Sequence, residues 1–156
     1  MTQRSVTHAM FAVERTYDAS PERVFAAFAS LEAKLAWSAC HDGQEITEFD
    51  FRPGGREVNR VAASDGNPPM LIQFRYHDIV PAERIVFTYE MQMDGVRTSV
   101  SLTTVELAPA GKGTRLTFTE QGAWLDGHVD PKMVEEGTGE GLDNLTAYLA
   151  RETADA

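Results

Sequence analysis

The middle of this chain, from Gln44 to Gln121, alternates apolar and polar residues with a period of two. Successive side chains of a β-strand point to opposite faces, so this period indicates strands with one covered face. Short clusters of Gly, Pro and Asp divide the run into segments. The segments predict six strands: Glu45–Asp50, Arg56–Ala63, Met70–Ile79, Ile85–Met93, Val96–Leu107 and Thr114–Gln121.

The strongest turn signal in this run is Asp94–Gly95, a dipeptide that favours a two-residue type I′ hairpin. It joins the two segments with the sharpest alternation, which indicates an antiparallel sheet with one face covered and one wet. In each segment, alternate residues share one face: Ile85, Phe87, Tyr89, Met91 and Met93 in the first, and Val96, Thr98, Val100, Leu102 and Thr104 in the second.

The segment before the sheet predicts one strand and two short helices. The strand covers Thr7–Tyr17, where alternation is partial. Ser20 is a good N-cap and Pro21 suits the first position of a helix. Ser30 can cap a second short helix, with Leu31, Leu35 and Trp37 as its apolar residues.

The last segment predicts a long helix from Asp130 to Arg151, capped by Asp130 and opened by Pro131. Glycine stands at positions 137, 139 and 141, and each costs about 1 kcal/mol in a helix interior relative to alanine. Gly137 and Gly141 fall on one stripe with Met133, Leu145 and Leu149, which predicts close packing or open volume against the sheet. Gly139 is expected to face solvent. The alternative is that the glycines form a loop and the helix starts near Glu140.

The order of these elements, with its local motifs, resembles the START-like or helix-grip superfamily shared with the Bet v 1 class. Within it, the chain is similar to the branch of heat-shock-protein-90 ATPase activator-like and polyketide-cyclase-like proteins. The resemblance implies an α+β fold in which a curved antiparallel sheet of about seven strands wraps a long C-terminal helix around an apolar cavity. The segments that carry it are Glu14–Ser30, Trp37, Phe51–Gly55, Asp78–Glu90, Ser99–Leu107, Gly113–Gly122 and Gly139–Leu149.

Length and charge narrow the functional classes. The 156 residues fit a single START-like domain spanning residues 1–156. The net charge of −10 argues against nucleic acid and anionic membranes as partners. The N-terminus lacks the apolar core of a signal peptide and no run is long enough to cross a membrane, so a cytoplasmic location is the expectation. Exposed strand edges leave a homodimer open.

The candidate site is the interior implied by the resemblance, and a small lipophilic molecule is its expected partner. Aromatic and methionine side chains suit such a pocket, although an ordinary packed core also explains most of them. Arg15 lies among apolar residues, so it would either anchor an acidic group of a ligand or pair with a local Glu. We favour the pairing with a local Glu. The predicted lining is Trp37, Phe51, Phe74, Tyr76, Tyr89, Met91, Trp124, Gly141, Leu142 and Leu145.

The sequence contains no compact catalytic motif, and we predict no metal, cofactor or catalytic residue. Cys40, His41 and Asp42 offer three ligand types in a row, but adjacent residues rarely meet one ion.

Binding of a hydrophobic ligand is the first hypothesis for the function. The second is a cyclase- or dehydratase-type enzyme, which needs polar groups such as Tyr76, Tyr89 or Arg15 to converge in the cavity. The third is a chaperone-associated module, which we doubt because the eukaryotic activators add a separate N-terminal domain.

Overall fold

The computed structural model of this protein describes residues 3–38 and 43–154. Within these ranges the chain forms an open antiparallel sheet of seven strands and three helices, as the sequence predicts. The strands are β1 (Val6–Tyr17), β2 (Gln44–Phe49), β3 (Arg56–Val61), β4 (Met70–Val80), β5 (Arg84–Met93), β6 (Val96–Ala110) and β7 (Gly113–Leu125), and the helices are α1 (Pro21–Ala29), α2 (Leu31–Ser38) and α3 (Pro131–Ala154).

The sheet order is β1-β7-β6-β5-β4-β3-β2, so β1 and β2 are the two edges. Every neighbouring pair is antiparallel, and α3 packs against β1. The β5–β6 hairpin confirms its predicted turn, because Asp94 and Gly95 have φ angles of 52° and 77°. A type I′ turn requires positive φ at both central residues. The result is an α+β helix-grip fold.

A β-bulge in this hairpin decides which side chains of β6 face inward. Gln92 pairs with Arg97, but the next pair is Met91 with Ser99, so Thr98 is an extra residue in β6. A one-residue slip exchanges the two faces of a strand. Val100 and Leu102 are therefore on the outer face, at 42% and 39% exposure, and do not share the covered face with the apolar residues of β5. The inward face of β6 instead carries Ser99, Ser101, Thr103, Val105 and Leu107, all buried.

The predicted helix starts are confirmed. The Oγ atom of Ser20 accepts a hydrogen bond from the backbone N–H of Arg23 at 3.3 Å, and Ser30 Oγ accepts one from Ala33 at the same distance. Asp130 Oδ1 accepts from the N–H of Lys132 at 3.0 Å, at the start of α3. Each cap satisfies a donor that the first turn of a helix leaves without an intrahelical partner.

Helix α3 runs without interruption through its glycines, so the loop alternative is wrong. The predicted face is confirmed at Leu145 and Leu149, which are buried, but is wrong in the first part of the helix. Gly139 is buried, whereas Gly137 is exposed and Met133 is 66% exposed. A side chain at position 139 would start 3.1 Å from Nη2 of Arg15, so the glycine makes room for that guanidinium between α3 and β1. The buried stripe of α3 is Gly139, Leu142, Leu145 and Leu149.

Strand β7 continues to Leu125, four residues beyond the predicted end, so Trp124 belongs to the sheet and not to a linker. Trp124 pairs with Thr7 of β1 and with Ser99 of β6. A glycine such as Gly122 weakens a strand and can indicate its end. Here β7 stays paired beyond Gly122 because its two neighbours, β1 and β6, are both long. The Trp124 side chain is therefore placed on the inward face.

Candidate functional site

The inward face of the sheet, α1, α2 and α3 enclose one hydrophobic cluster that contains most of the predicted lining. Trp37, Tyr76, Tyr89, Trp124, Leu142 and Leu145 are buried in it, and Phe51, Phe74 and Met91 are partly buried against it. Gly141 is half-buried, and no atom lies within 4 Å of the place where its side chain would start. The structure thus brings these side chains together, while their role as a ligand cavity stays a prediction.

Aromatic rings from three neighbouring stretches of chain form a continuous row on this face. The ring of Phe74 is stacked on that of Tyr89, with centroids 5.3 Å apart, and lies 5.7 Å from that of Phe87. Tyr76 contacts Phe87 at 6.0 Å and Phe51 at 4.9 Å, in edge-on geometry. Offset and edge-on pairs are the favoured arrangements of aromatic rings, so the row forms a rigid apolar surface.

A carboxyl group is buried at one end of this row. Glu120 of β7 has no exposed surface. Its Oε2 atom accepts hydrogen bonds from the Tyr89 hydroxyl at 2.7 Å and from the Ser101 hydroxyl at 2.9 Å. Ser101 reaches this position because the bulge in β6 turns it inward. Three strands therefore build one buried polar site, which we call the Glu120 cluster: Glu120, Tyr89, Ser101, Thr103 and Trp124.

Three buried polar atoms of this cluster have no hydrogen-bond partner: Glu120 Oε1, Thr103 Oγ1 and Trp124 Nε1. Thr103 is the register neighbour of Glu120 across the β6–β7 pair. Leaving a buried polar group unpaired costs about 1–3 kcal/mol, so a core selected for stability alone would avoid such groups. Thr103 and Glu120 are thus neighbours that both carry an unpaired polar atom, and Trp124 on the same inward face carries a third.

Gly122 gives this cluster its compactness. A side chain at position 122 would start 2.6 Å from Ser101 Oγ and 2.8 Å from Cη2 and Cζ3 of the Trp124 ring. The missing side chain therefore lets the indole fold back over β7 to the Ser101 hydroxyl. The space is occupied by a rigid ring, so an added methyl group cannot be absorbed by rotation of a flexible chain.

We expect Gly122→Ala to lower the free energy of unfolding by about 1–3 kcal/mol, the usual cost of overpacking a core. Urea unfolding of the variant measures this loss. Gly137→Ala is the control and should not lose stability, because no atom lies within 4 Å of a side chain there and alanine is favoured over glycine inside a helix. A variant at position 122 as stable as the natural protein would contradict the described position of Trp124.

Burial raises the pKa of Glu120 above its ordinary value of 4.5, and the hydrogen bonds from Tyr89 and Ser101 only partly oppose this. The pKa of Tyr89 is also raised, by burial first and then by the nearby Glu120. Transfer of a charged group into a poorly hydrated site disfavours its charged form. Burial therefore shifts the equilibrium of Glu120 towards the neutral acid, and its described hydrogen-bond partners include no cation.

The raised pKa of Glu120 predicts a pH-dependent difference between the natural protein and Glu120→Gln. The unfolded chain loses this proton near pH 4.5, before the folded chain does. The free energy of unfolding therefore falls as the pH rises from there through the folded pKa. Gln cannot ionise, so the variant gains stability relative to the natural protein between pH 4 and pH 7, as measured by urea unfolding. A difference that stays constant with pH would contradict the raised pKa.

A second buried carboxylate, Glu57 of β3, lies at the end of the row near α2. Its Oε1 accepts from Lys34 Nζ at 2.7 Å and from the Tyr76 hydroxyl at 2.6 Å, and its Oε2 accepts from Asn59 Nδ2 at 2.7 Å. Burial raises the pKa of Glu57, but the charge of Lys34 and these hydrogen bonds outweigh burial and lower it overall. Glu57 is thus a fully paired anion that attaches α2 to the sheet, unlike Glu120.

Two surface pockets adjoin β1. A groove of about 490 Å³ runs between β1 and α3 and is lined by Glu14, Arg15, Glu135, Glu136 and Asp143 among others. The second lies at the β1–β7 edge beside Met10 and Gly122. Both are open to solvent. An enclosed apolar cavity between α3 and the centre of the sheet stays a prediction.

Arg15 has a different partner from the one expected. Its Nε donates to Asp143 Oδ1 of α3 at 2.8 Å, and its only described bond to a nearby Glu is from Nη1 to the backbone carbonyl of Glu14 at 2.9 Å. This ion pair, with the hydrogen bond from the Tyr17 hydroxyl to the carbonyl of Leu142 at 2.9 Å, attaches α3 to β1. Arg15 is therefore at the rim, outside the Glu120 cluster.

Sequence reasoning missed Glu120, Glu57 and Lys34. A signal for Glu120 does exist, because it alternates with Leu116 and Phe118 on the apolar face of its strand. Cys40, His41 and Asp42 lie outside the described residues. Within residues 3–38 and 43–154, no three His, Cys, Asp or Glu side chains are grouped to hold a metal ion, and no helix is long and apolar enough to span a membrane.

Residues 18–150 match the model of the family described as "Activator of Hsp90 ATPase homolog 1-like protein". A crystal structure of a protein from Rhizobium loti is 49% identical, with a TM-score of 0.86 over 92% of this chain and 99% of that one. A protein from Rhizobium leguminosarum is 44% identical, with a TM-score of 0.88 over 96% and 99% of the two chains.

The solution structure of an activator-like protein from Aeromonas hydrophila shares the fold, with 21% identity and a TM-score of 0.69 over 93% and 94% of the chains. No curated protein sequence matches the chain. The family match covers most of the sequence, and the fold agrees with the START/Bet v 1 superfamily. This chain therefore belongs to the family of Activator of Hsp90 ATPase homolog 1-like proteins.

Proposed function

We propose that this protein binds a small, mostly apolar molecule between the inward face of the sheet and α3, with a polar group of that molecule at the Glu120 cluster. The observation that carries the proposal is the set of three unpaired polar atoms on Glu120, Thr103 and Trp124. Ligand pockets are mostly apolar with a few polar groups that fix orientation. The aromatic row beside this cluster is the matching apolar surface.

The guest gains binding energy from both parts of the site. Its apolar body would displace core contacts along Phe74, Phe87 and Tyr89, and its polar group would satisfy atoms that are costly when left alone. Entry requires α3 to separate from the sheet. Separation would break the attachments of α3 to β1 through Arg15 and Tyr17, and also the hydrogen bond from Arg23 of α1 to the carbonyl of Leu149.

Native mass spectrometry of freshly purified protein tests this proposal, since a retained guest adds a defined mass. The extracted compound should then raise the melting temperature of the emptied protein. A ligand at one hundred times its Kd stabilises the folded state by about 2.7 kcal/mol. Glu106→Leu on the outer face should keep this stabilisation, whereas Glu120→Leu should weaken it. Retention of the same compound at full affinity by Glu120→Leu would place the site elsewhere.

A cyclase- or dehydratase-type enzyme is the second candidate, and one observation favours it. A buried carboxyl group with a raised pKa next to a tyrosine hydroxyl can donate a proton during a reaction. The extracted compound distinguishes the two functions: a binder releases it unchanged after incubation, whereas an enzyme converts it. The family description also suggests a chaperone-linked role, which an assay of chaperone ATPase with and without this protein would test.

A further inference from the structure

The two oxygen atoms of Glu120 have different surroundings. Oε2 accepts two hydrogen bonds, from Tyr89 and Ser101, and Oε1 has none. In a neutral carboxylic acid one oxygen carries the proton and the other acts as the carbonyl-type acceptor. The oxygen that already accepts two hydroxyl groups is the acceptor, so the proton of the neutral acid belongs on Oε1.

The other unpaired atoms of the cluster have matching chemistry. The indole N–H of Trp124 is a donor only, and the hydroxyl of Thr103 can donate. Thr103 faces Glu120 across the strands, and the Trp124 ring approaches Ser101 over Gly122 through Cη2 and Cζ3. With Glu120 neutral, each of the three unpaired groups has a hydrogen atom that it can donate, and the proton on Oε1 lacks an acceptor.

We propose that Glu120 binds its ligand as a neutral acid, donating a hydrogen bond from Oε1 to an acceptor oxygen such as the carbonyl of a ketone or ester. This inference rests on the proposed function. The ligand class is a neutral apolar molecule with a carbonyl oxygen, and an amine is excluded from it. An ammonium group would need an ionised carboxylate.

Three probes of nearly equal shape test the inference. Acetophenone has the carbonyl oxygen, α-methylstyrene has a methylene group in its place, and α-methylbenzylamine has an ammonium group. Dissociation constants are measured by NMR titration, with the signals of Tyr89 and Trp124 as reporters. We expect the natural protein to prefer acetophenone over α-methylstyrene about three- to tenfold more strongly than Glu120→Leu does. This is the effect of one hydrogen bond.

Glu120→Gln is the decisive variant. Its amide oxygen can replace Oε2 and keep the hydrogen bonds from Tyr89 and Ser101, while its amide N–H takes the place of the acid proton. The variant should therefore retain the preference for acetophenone. Glu106→Gln, on the exposed outer face of β6, is the matched control and should change nothing. If Glu120→Leu fails to fold, Glu120→Met takes its place, because methionine has a similar length and no hydrogen atom to donate to the ligand.

The outcomes separate this inference from the proposed function. Equal preference in the natural protein and in Glu120→Leu overturns the inference alone, and so does tighter binding of α-methylbenzylamine that is lost in Glu120→Gln. A crystal structure with acetophenone in the groove between β1 and α3 overturns the inference as well. Binding of none of the three probes counts against the proposed function, and the inference falls with it.

Discussion

Replacement of Lys34 by methionine is expected to lower the free energy of unfolding by about 3–5 kcal/mol. Lys34 and Glu57 form an ion pair with side-chain exposures of 12% and 2% and a distance of 2.7 Å. Without the ammonium group, Glu57 stays in the core as an uncompensated charge. Removal of one partner of a buried pair is therefore far more costly than removal of both. Urea unfolding at pH 7 measures the loss.

Two controls make this prediction specific. Arg84→Met breaks an ion pair of similar length with Asp78, at 2.7 Å, but its partners are 51% and 47% exposed. Such a pair contributes about 0–1 kcal/mol, so this variant should be nearly neutral. Lys34→Met with Glu57→Gln removes both charges and should recover much of the stability. Equal losses in the two single variants would show that burial of the Lys34–Glu57 pair has no energetic consequence.

The effect of Lys34→Met should also depend on pH. In the natural protein the pKa of Glu57 is lowered, so its stabilising contribution is present above the unfolded pKa near 4.5 and is lost as the pH falls through the folded value. In the variant, protonation at low pH removes the uncompensated charge. The difference between the two proteins should therefore shrink from pH 7 to pH 4.

Leu145→Ala is expected to lower the free energy of unfolding by about 2–5 kcal/mol, the range for deleting a buried leucine side chain. Leu145 has no exposed surface and lies on the buried stripe of α3. Removal of its methyl groups forfeits burial energy and leaves a cavity that its neighbours fill only in part. The midpoint of urea unfolding should fall without a change in slope if the fold is preserved.

Met133→Ala is the matched control on the same helix. The sequence pattern places Met133 and Leu145 on one stripe, but Met133 is 66% exposed. Substitutions at exposed positions usually change stability by less than about 0.5 kcal/mol. Losses of similar size in Met133→Ala and Leu145→Ala would support the face predicted from the sequence and contradict the described orientation of α3.

The periodicity of the sequence was sufficient to predict the elements of this fold. Alternation and turn residues are local signals, so the strands, the Asp94–Gly95 hairpin and the capped helices agree with the structure to within a few residues at most ends. The clearest disagreement is at β7, whose end depends on its two neighbouring strands and not on its own residues. Gly122 indicates a strand end locally but is a packing position in the sheet.

The candidate site was predictable only in its apolar part. Tyr76, Tyr89 and Trp124 were expected in the interior because large amphipathic rings favour such positions. Glu120 and Glu57 were not, because a charged residue in a strand is most often exposed. The partners that explain them are distant in sequence: Tyr89 and Ser101 for Glu120, and Lys34 for Glu57.

The sequence by itself therefore determined the fold class and family of this protein, since both follow from the order and period of local segments. Only the tertiary structure decided which side chains meet. The extra residue Thr98 in β6 moves Ser101 and Thr103 to the inward face, and the rotation of α3 places Gly139 there in place of Gly137. A shift of one residue in a strand, or of two in a helix, changes the face of a side chain without changing the local pattern that encodes the element.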